Sequence, residues 1–150
     1  MALSELFIEQ IHGLLPENEA SALIKSLGES DPSVSVRINS VKCDKTPTEN
    51  LVPWCNRGFY LDQRPQFTFD PALHAGCYYV QDASSMFLAH AINLLVNKDE
   101  PVRYLDLCAA PGGKTTTAID TLPAGSLVVA NEIMSNRAQI LKENLIKWGN

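Results

Sequence analysis

Apolar and polar positions recur with two different periods along the chain, and each period predicts a type of element. Apolar residues recur at the spacing of an α-helix in a short segment capped by Ser4 and again over residues 17–28. Over residues 34–39 the period falls to two, which predicts a half-buried strand. Residues 76–80 have the composition of another short strand, and Asp82 is placed to cap the helix that follows.

The order of these elements indicates two parts. Two helices followed by a short β region predict a small α+β domain over residues 1–65, after which Pro65 and Pro71 mark a connector. A helical pattern over residues 83–96 then leads into a run of apolar residues. Residues 66–150 are therefore predicted to contain the connector and the first part of an α/β domain.

The most informative segment is an apolar run, a loop of small residues and a helix. The run covers residues 102–107, the loop covers residues 108–113, and a helix-compatible segment begins near Lys114. In α/β folds this arrangement binds nucleotide-like ligands, because small side chains let the ligand approach the backbone and the N–H groups of the helix start face it. We therefore predict that a nucleotide-like ligand binds at this loop.

Two common phosphate motifs do not match the loop. A P-loop requires glycine where Cys108 stands, and a dinucleotide fingerprint requires a spacing that Gly112 and Gly113 cannot supply. A second apolar run instead leads to Glu132, which lies 19 residues after Gly113. An acidic residue at about this offset binds ribose hydroxyls and repels a phosphate, which favours an adenosyl ligand. A P-loop nucleotide hydrolase stays open as an alternative, because a Gly-Lys-Thr-Thr string is present.

The same segment resembles a known family. The string C-A-A-P-G-G-K-T at residues 108–115 is similar to the S-adenosylmethionine loop of the Nop/Sun-type RNA 5-methylcytosine methyltransferases. Strings at residues 35–42, 52–59 and 76–86 resemble the elements that precede that loop. The string A-N-E-I-M-S-N-R at residues 130–137 resembles the second strand and its turn. The pieces P-W-C and Q-D-A-S-S-M most resemble the bacterial branch, which acts on small-subunit ribosomal RNA.

The resemblance implies an α/β fold, namely the start of a Rossmann-like S-adenosylmethionine-dependent methyltransferase sheet preceded by the small α+β N-terminal domain. It also implies S-adenosylmethionine as cofactor and methyl transfer to C5 of a cytosine in RNA, with ribosomal RNA as the partner. The family more often has aspartate at the position of Glu132, and Arg137 matches a recurrent arginine that either orients this acidic turn or is an exposed helix charge. The residues implied to bind the cofactor are Cys108, Ala109, Ala110, Pro111, Gly112, Gly113, Lys114 and Glu132.

The family's chemistry needs a cysteine thiolate that adds to C6 of the cytosine, and no cysteine here matches it. The family's two cysteines follow Pro and Thr, whereas the four in this chain are Cys43, Cys55, Cys77 and Cys108. Only two strands of the family's seven-stranded sheet fit after Val102. We therefore expect no catalytic residue in this chain, which would be an N-terminal fragment of a longer enzyme and inactive alone. The alternative is a non-catalytic fragment that binds RNA or a protein partner.

Composition and charge narrow the other possibilities. Of the 150 residues, 45% are hydrophobic, and no apolar stretch approaches the ~20 residues of a membrane span. Four cysteines without a C-x-x-C pair and three scattered histidines predict a cytoplasmic protein without a metal site or membrane partner. The net charge of −5 argues mildly against RNA binding. We also expect self-association through a sheet edge left unpaired.

The aromatic and basic side chains of the middle segment allow two interpretations. Trp54, with several other aromatic residues, lies near Arg57 and Arg64 in the sequence. These side chains either stack on bases or pack in a core, and packing is the commoner role for aromatic residues. Any basic face for RNA would have to draw on this segment, whose basic residues include Arg37, Lys42, Lys45, Arg57 and Arg64.

Overall fold

The computed structural model describes residues 3–29 and 32–149. Its contacts divide the chain into two units, Met1–Ser33 and Val34–Asn150. The domain boundary predicted at residue 65 therefore falls inside the second unit. A strand on each side of residue 65 belongs to the same sheet, which explains the difference.

The first unit contains helix α1 (Glu5–Leu14) and helix α2 (Glu17–Glu29). Ser4 caps α1 by accepting a hydrogen bond from the backbone N–H of Phe7 at 3.3 Å, which confirms the predicted cap. The second helix continues through Gly28, where the sequence predicted its end. Both predicted helices of this unit are therefore confirmed, with a small difference at one boundary.

The second unit begins with a four-stranded antiparallel sheet in the order β2-β3-β1-β4. Its strands are β1 (Val34–Ile38), β2 (Leu51–Val52), β3 (Cys55–Leu61) and β4 (Tyr78–Val80). In the centre of the sheet, Val36 of β1 lies opposite Phe59 on one side and Val80 on the other. The alternating pattern predicted β1 correctly, but it could not show that its partner β4 lies beyond residue 65.

Strand β1 is buried on both faces, so the prediction of a half-buried strand is wrong. The polar residues Ser35, Arg37 and Asn39 are 4%, 1% and 2% exposed, respectively, and the apolar Val36 and Ile38 are also buried. The apolar side packs with Phe59 and neighbouring hydrophobic residues. The polar side faces helices that follow later in the chain, and their polar groups replace water as its partners.

The rest of the second unit is an α/β segment built on a parallel pair of strands. Its elements are α3 (Pro71–His74), α4 (Phe87–Leu95), β5 (Arg103–Asp106), α5 (Gly113–Thr121), β6 (Leu127–Ala130) and α6 (Ser135–Trp148). Strands β5 and β6 are parallel, with Arg103 opposite Leu127 and Asp106 opposite Ala130. Helix α5 connects them, so the predicted strand, loop, helix and strand are confirmed and the fold is α/β.

The helix predicted over residues 83–96 begins later than expected. Ser84–Met86 form a 3-10 turn, and α4 starts at Phe87. Asp82 Oδ1 accepts hydrogen bonds from the backbone N–H of Ser84 at 2.8 Å and from its hydroxyl at 2.6 Å. Asp82 therefore caps the turn, as the sequence indicated, while the tighter turn delays the α-helix.

Among the residues that the structure describes, helices cover one face of the parallel pair. Ile92 of α4 and Ala118 and Leu122 of α5 pack against Tyr104 and Val128 on that face. The opposite face is apolar but exposed, since neighbouring positions on a strand point to opposite sides of the sheet. Its large hydrophobic residues, each about half exposed, are Leu105, Leu127 and Val129.

Candidate functional site

The loop between β5 and α5 is tied to the end of β6 by backbone hydrogen bonds. The N–H of Ala109 donates to the carbonyl of Asn131 at 2.9 Å, and the N–H of Asn131 donates to the carbonyl of Asp106 at 2.8 Å. The side-chain amide of Asn131 donates to the carbonyl of Leu107 at 3.0 Å. The C-terminal ends of the two strands therefore hold the first half of the loop.

The second half of the loop is held by α6 and β4. Arg137 Nη2 donates to the carbonyl of Ala110 at 2.9 Å. Asn144 Nδ2 and the Tyr79 hydroxyl donate to the carbonyl of Pro111 at 2.8 and 3.1 Å. These hydrogen bonds to the carbonyls of Ala110 and Pro111 fix the shape of the second half of the loop.

Helix α5 starts at the end of the loop with its first amides unused. Gly112 has φ 111°, a left-handed conformation that favours glycine, and a side chain there would meet Leu141 Cδ1 at 3.3 Å. Among residues 3–29 and 32–149, the backbone N–H groups of Lys114 and Thr115 donate no hydrogen bond to a group outside the helix. The first amides of a helix lack intrahelical partners and carry partial positive charge, so they favour an anionic group.

The loop lines a pocket of about 190 Å³ beside the end of β4. Six of the eight residues predicted to bind the ligand line it, namely Cys108, Ala109, Ala110, Pro111, Gly113 and Lys114. Gly112 is buried directly beneath them, and Glu132 lies outside this pocket. Gln81, Asp82 and Ser85 line the opposite wall, so the connector contributes polar groups to the site.

Glu132 follows the strand end that holds the loop, and it lines a different cavity from the loop pocket. Its side chain is 4% exposed and lines a separate cavity against α6. One carboxylate oxygen accepts from the backbone N–H of Met134 at 3.0 Å, and the other is 3.6 Å from Arg137 Nη1. Because Arg137 also donates to Ala110, this arginine links Glu132 to the loop. The interpretation of Arg137 as the residue that orients the acidic turn is therefore favoured.

A buried polar network anchors α5 to the antiparallel sheet. The Arg37 guanidinium donates to Gln81 Oε1 at 2.9 Å, to Thr116 Oγ1 at 2.5 Å and to the carboxylate of Asp120. It also lies over the ring of Trp148, 4.5 Å from the centroid. Thr116 in turn donates to the carbonyl of Gly112 at 2.9 Å. Arg37 of β1 therefore contacts the helix turn that directly follows the loop.

Burial dominates the electrostatics of this network. It lowers the pKa of Arg37 and raises the pKa of Asp120, while the attraction between the two charges opposes both shifts. Trp148 Nε1 donates to the remaining oxygen of Asp120 at 2.9 Å. With both oxygens of the carboxylate bonded, the ion pair meets the condition under which a buried pair is tolerated.

Sequence analysis did not identify Arg37, Asp120 or Trp148 as site-supporting residues. Arg37 was grouped with residues of a potential basic face, and its burial excludes it from any such face. The alternation of β1 places Arg37 on the polar side but carries no information about what covers that side. No local signal could have identified Asp120, since its partner lies 83 positions away.

The cysteines and possible metal ligands also bear on the chemistry of the loop pocket. All four cysteines are free, and only Cys108, which is exposed, lines the loop pocket. Within the described residues, no three His, Cys, Asp or Glu side chains gather as a metal site requires. In the same part of the chain, no helix is long and apolar enough to cross a membrane.

Comparisons of the sequence with known proteins agree with one another. A family model described as the N-terminal domain of 16S rRNA methyltransferase RsmF matches residues 3–83. A second, described as 16S rRNA methyltransferase RsmB/F, matches residues 92–150. Ribosomal RNA small subunit methyltransferase F of Photobacterium profundum is 32% identical over 161 residues, which cover 98% of this chain and 33% of that protein. The Vibrio parahaemolyticus protein of the same name is 31% identical over 160 residues, with 98% and 33% covered.

Solved structures share the fold. A methyltransferase homolog from Pyrococcus horikoshii matches with a TM-score of 0.77 and 27% identity, over 99% of this chain and 50% of that one. NSun6 from Pyrococcus horikoshii, solved with SFG, matches with a TM-score of 0.75 and 16% identity, over 97% of this chain and 63% of that one. The chain spans about a third of the length of the curated relatives it matches.

Proposed function

The chain belongs to the RsmF-type family of 16S rRNA methyltransferases, and we propose that it supplies the S-adenosylmethionine loop of an enzyme that methylates C5 of a cytosine in ribosomal RNA. The observation that carries this proposal is the loop at residues 108–114, shaped by hydrogen bonds to its carbonyls and followed by free helix amides. A ribosomal RNA substrate would place the reaction in the cytoplasm.

The geometry of the loop fits an adenosyl cofactor. Ala109, Ala110 and Gly113 present no bulky side chain to the pocket, and the pocket of about 190 Å³ is large enough for part of such a molecule. The free N–H groups of Lys114 and Thr115 suit the carboxylate of the methionine moiety, since helix N-termini attract anions. These backbone groups would hold one end of the cofactor without any charged side chain.

Glu132 would bind the ribose hydroxyls at the other end. A carboxylate has about four lone-pair sites, and only two contacts occupy them here, so acceptor capacity remains. Glu132 lines a separate cavity, so the cofactor would extend from the loop pocket toward this cavity for its ribose to reach the carboxylate. Arg137 would keep its hydrogen bond to Ala110, which preserves the shape of the loop.

When bound, S-adenosylmethionine supplies an electrophilic methyl group. This chain holds and orients that group through its loop, and its four cysteines occupy none of the contexts in which the family places its nucleophile. A thiolate adjacent to the cytosine would have to come from another part of the parent protein. We therefore expect the isolated chain to bind the cofactor and to transfer no methyl group.

The proposal is tested by thermal unfolding in the presence of ligands. S-adenosylmethionine at 100 times its dissociation constant should stabilise the chain by about 2.7 kcal/mol, which corresponds to a rise in Tm of about 5–11 °C for this size. ATP or GTP with magnesium should produce no shift, and a shift would favour the P-loop alternative instead. A flat response to S-adenosylmethionine would contradict cofactor binding by this chain.

A single glycine offers a sharper test of the site. An added Cβ at Gly113 would lie 3.4 Å from Tyr79 Cε1, an ordinary contact, so Gly113→Ala should fold normally. The methyl group would occupy part of the pocket, and overpacking of about 1–3 kcal/mol should weaken cofactor binding about fivefold or more. Gly28→Ala in α2, where a Cβ meets nothing within 4 Å, is the matched control and should bind as the unsubstituted chain does.

Radiolabelled methyl transfer distinguishes this function from the non-catalytic alternative. Binding of the cofactor without transfer agrees with a cofactor-binding segment of a longer enzyme. RNA binding without any cofactor binding would favour a fragment that only binds RNA or a partner. Formation of 5-methylcytosine by the purified chain would show that its own side chains suffice, contrary to our expectation.

A further inference from the structure

A groove of about 560 Å³ lies in the second unit and shares no lining residue with the loop pocket. It runs between the β2–β3 hairpin, α4 and the C-terminal end of α5. The side chains relevant to binding come from separate elements: Trp54 and Arg57 from the hairpin, His90 from α4, and Lys98 from the turn after α4. Arg37 and Asp120 form part of its floor.

The groove carries an excess of positive charge. Among residues 3–29 and 32–149, Asp120 is the one acidic residue that lines the groove, and its two oxygens are occupied by Arg37 and Trp148. Arg57 is half-buried and has no hydrogen-bond or ion-pair partner among residues 3–29 and 32–149. A guanidinium has five donors in a planar fork that matches a phosphate group. Arg57 therefore offers an unused phosphate-binding group at the groove wall.

Lys98 provides the second free charge. One of its three ammonium hydrogens goes to the carbonyl of Thr121 at 2.7 Å, which holds the side chain against the end of α5. The remaining donors face no acidic lining residue other than Asp120, whose charge Arg37 neutralises. Arg57 and Lys98 lie on separate elements around one groove, an arrangement that suits more than one phosphate.

Trp54 adds a rigid aromatic surface between these charges and the core. Its Nε1 donates to the carbonyl of Ala83 at 2.6 Å, and its ring meets Phe87 edge to face with centroids 6.1 Å apart. The side chains of Asn56 and Asn93 are exposed at the rim and can donate and accept hydrogen bonds. A positive groove with an aromatic side chain is the combination used by proteins that bind single-stranded nucleic acid.

We propose that this groove binds a phosphate-bearing strand of RNA, with Arg57 and Lys98 contacting phosphates and Trp54 contacting a base or sugar. The proposal rests on the RNA substrate of the proposed function and adds a contact region that shares no lining residue with the loop pocket. The net charge of −5 does not oppose this groove, because Asp120, the acidic residue in its described lining, is paired with Arg37.

The test compares two double variants that remove the same charge. Arg57→Gln with Lys98→Gln alters the groove, whereas Arg64→Gln with Lys45→Gln removes one arginine and one lysine that are exposed and do not line it. Binding of a fluorescein-labelled single-stranded RNA of about 12 nucleotides, within the range of single-strand site sizes, is measured by anisotropy at several salt concentrations. Thermal unfolding with S-adenosylmethionine checks each variant for folding.

The groove variant should bind RNA about tenfold more weakly near physiological salt, with its salt slope reduced by about 1 for each lost phosphate contact. The Arg64 and Lys45 variant should bind within about twofold of the unsubstituted chain, since screened surface charges contribute little. Equal losses in both variants would overturn the proposal. An unchanged slope in the groove variant would overturn it as well.

Two further readouts separate this proposal from the cofactor proposal. If the unsubstituted chain shows the S-adenosylmethionine shift but no RNA binding, the groove proposal fails and the cofactor proposal stands. If RNA binding depends on the groove while the cofactor shift is absent, the reverse holds. Inorganic phosphate is the other probe. If the groove variant loses phosphate binding but not RNA binding, the groove is a site for a free anion, and the proposal that it binds an RNA strand is overturned.

Photocrosslinking gives a result that does not depend on any variant. RNA containing 4-thiouridine should crosslink to peptides that contain Trp54 or His90, which line the groove. Crosslinks confined to the exposed segment around Lys45 would place the RNA elsewhere and overturn the proposal.

Discussion

In the antiparallel sheet the central strand β1 is buried on both faces, whereas the parallel pair β5–β6 is covered on one face only. β1 alternates apolar and polar residues, yet Arg37 is 1% exposed. The strands β5 and β6 have large apolar residues on the uncovered face, where Leu105 is 56% exposed and Val129 48% exposed. A simple pattern would place polar side chains outside and apolar side chains inside. Here β1 buries polar side chains, and β5 and β6 expose apolar ones.

This difference shows what each sheet does for the candidate site. The polar face of β1 holds the helices that follow the two parallel strands: Arg37 bonds Thr116 and Asp120 in α5, and Asn39 Nδ2 donates to the carbonyl of Trp148 at 2.8 Å in α6. Lys42 Nζ donates to the carbonyl of Lys147 at 2.6 Å. The antiparallel sheet thus positions the helices, and the helices position the loop. The bare face of β5–β6 takes no part in this arrangement.

The largest effect should come from removing Arg37. Arg37→Met leaves Asp120 charged and buried, and Gln81 and Thr116 lose the hydrogen bonds that Arg37 donates to them. The free energy of unfolding should therefore fall by about 3–5 kcal/mol relative to the unsubstituted chain. Urea unfolding measures the difference. Arg64→Met, on an exposed arginine, should change stability by no more than about 0.5 kcal/mol.

A second substitution distinguishes the ion pair from simple packing. Arg37→Met combined with Asp120→Leu should lose less stability than Arg37→Met alone, because no charge is left buried without a partner. If the double variant is the less stable of the two, the carboxylate is not the source of the cost. Packing, and not the ion pair, would then be what stabilises the buried polar face of β1.

Matched truncations compare the two sheets directly. Ile38→Ala in β1 removes a side chain that is 8% exposed and should destabilise the chain by about 2–5 kcal/mol. Leu105→Ala in β5 removes a side chain that is 56% exposed and should cost less than about 1 kcal/mol. Equal costs, measured by the same urea unfolding, would show that the apolar face of β5 is covered in solution.

The bare face and the strand edges should instead govern self-association. Leu105→Lys places a charge on this face, so the protein should self-associate less, and its weight-average mass at high protein concentration should fall. The free energy of unfolding should change by about 0.5 kcal/mol or less. Sedimentation velocity over a range of concentrations measures the effect. Ile133→Lys, on an equally apolar residue that is 92% exposed outside the strands, is the control. A monomer at every concentration in the unsubstituted chain would contradict the prediction.

The smallest effect concerns the edge strand β4. The Tyr78 hydroxyl donates to Asp70 Oδ2 at 2.6 Å, and this bond, followed by the N–H of Ala72, lowers the pKa of Asp70. A lowered folded-state pKa contributes stability that is present above the unfolded value of about 3.9 and is lost as the pH falls through the folded value. Tyr78→Phe should therefore raise the pKa of Asp70 and cost less than about 1 kcal/mol above pH 4.

An NMR titration of the Asp70 carboxyl measures that shift. Asp82 serves as the internal reference, because its pKa is also lowered, by hydrogen bonds from Ser84, and it has no contact with Tyr78. An unchanged Asp70 titration in the Tyr78→Phe variant would show that the backbone N–H of Ala72 and the charge of His74 lower the pKa without Tyr78.

Much of the local structure could be predicted because its causes are local. Ser4 caps α1, and Gly149 ends α6 in a left-handed conformation with φ 85°, as expected for a glycine at a helix C-terminus. The loop at residues 108–113 was predicted from small residues between an apolar run and a helix. The binding role of the loop and of Glu132 stays a prediction, and the structure adds that Glu132 faces a different cavity.

The partners of these elements could not be predicted in the same way. β4 pairs with β1 across the predicted boundary at residue 65, and Arg37 finds Asp120 far along the chain. Periodicity shows that a strand has two faces, but it does not show what covers each face. A polar face can turn to water or to the polar groups of a helix, and both satisfy its hydrogen bonds.

By itself, the sequence determined the family, the α/β class and the order of strand, loop and helix around residues 102–121, because propensity, capping and small-residue spacing act over a few neighbours. Only the tertiary structure decided that the polar face of β1 is the anchor of α5 and α6, and that a separate positive groove forms beside Trp54 and Arg57. The physical reason is that burial and charge compensation depend on which groups, far apart in sequence, come into contact. A buried arginine is stable only where a carboxylate and hydrogen-bond acceptors contact it.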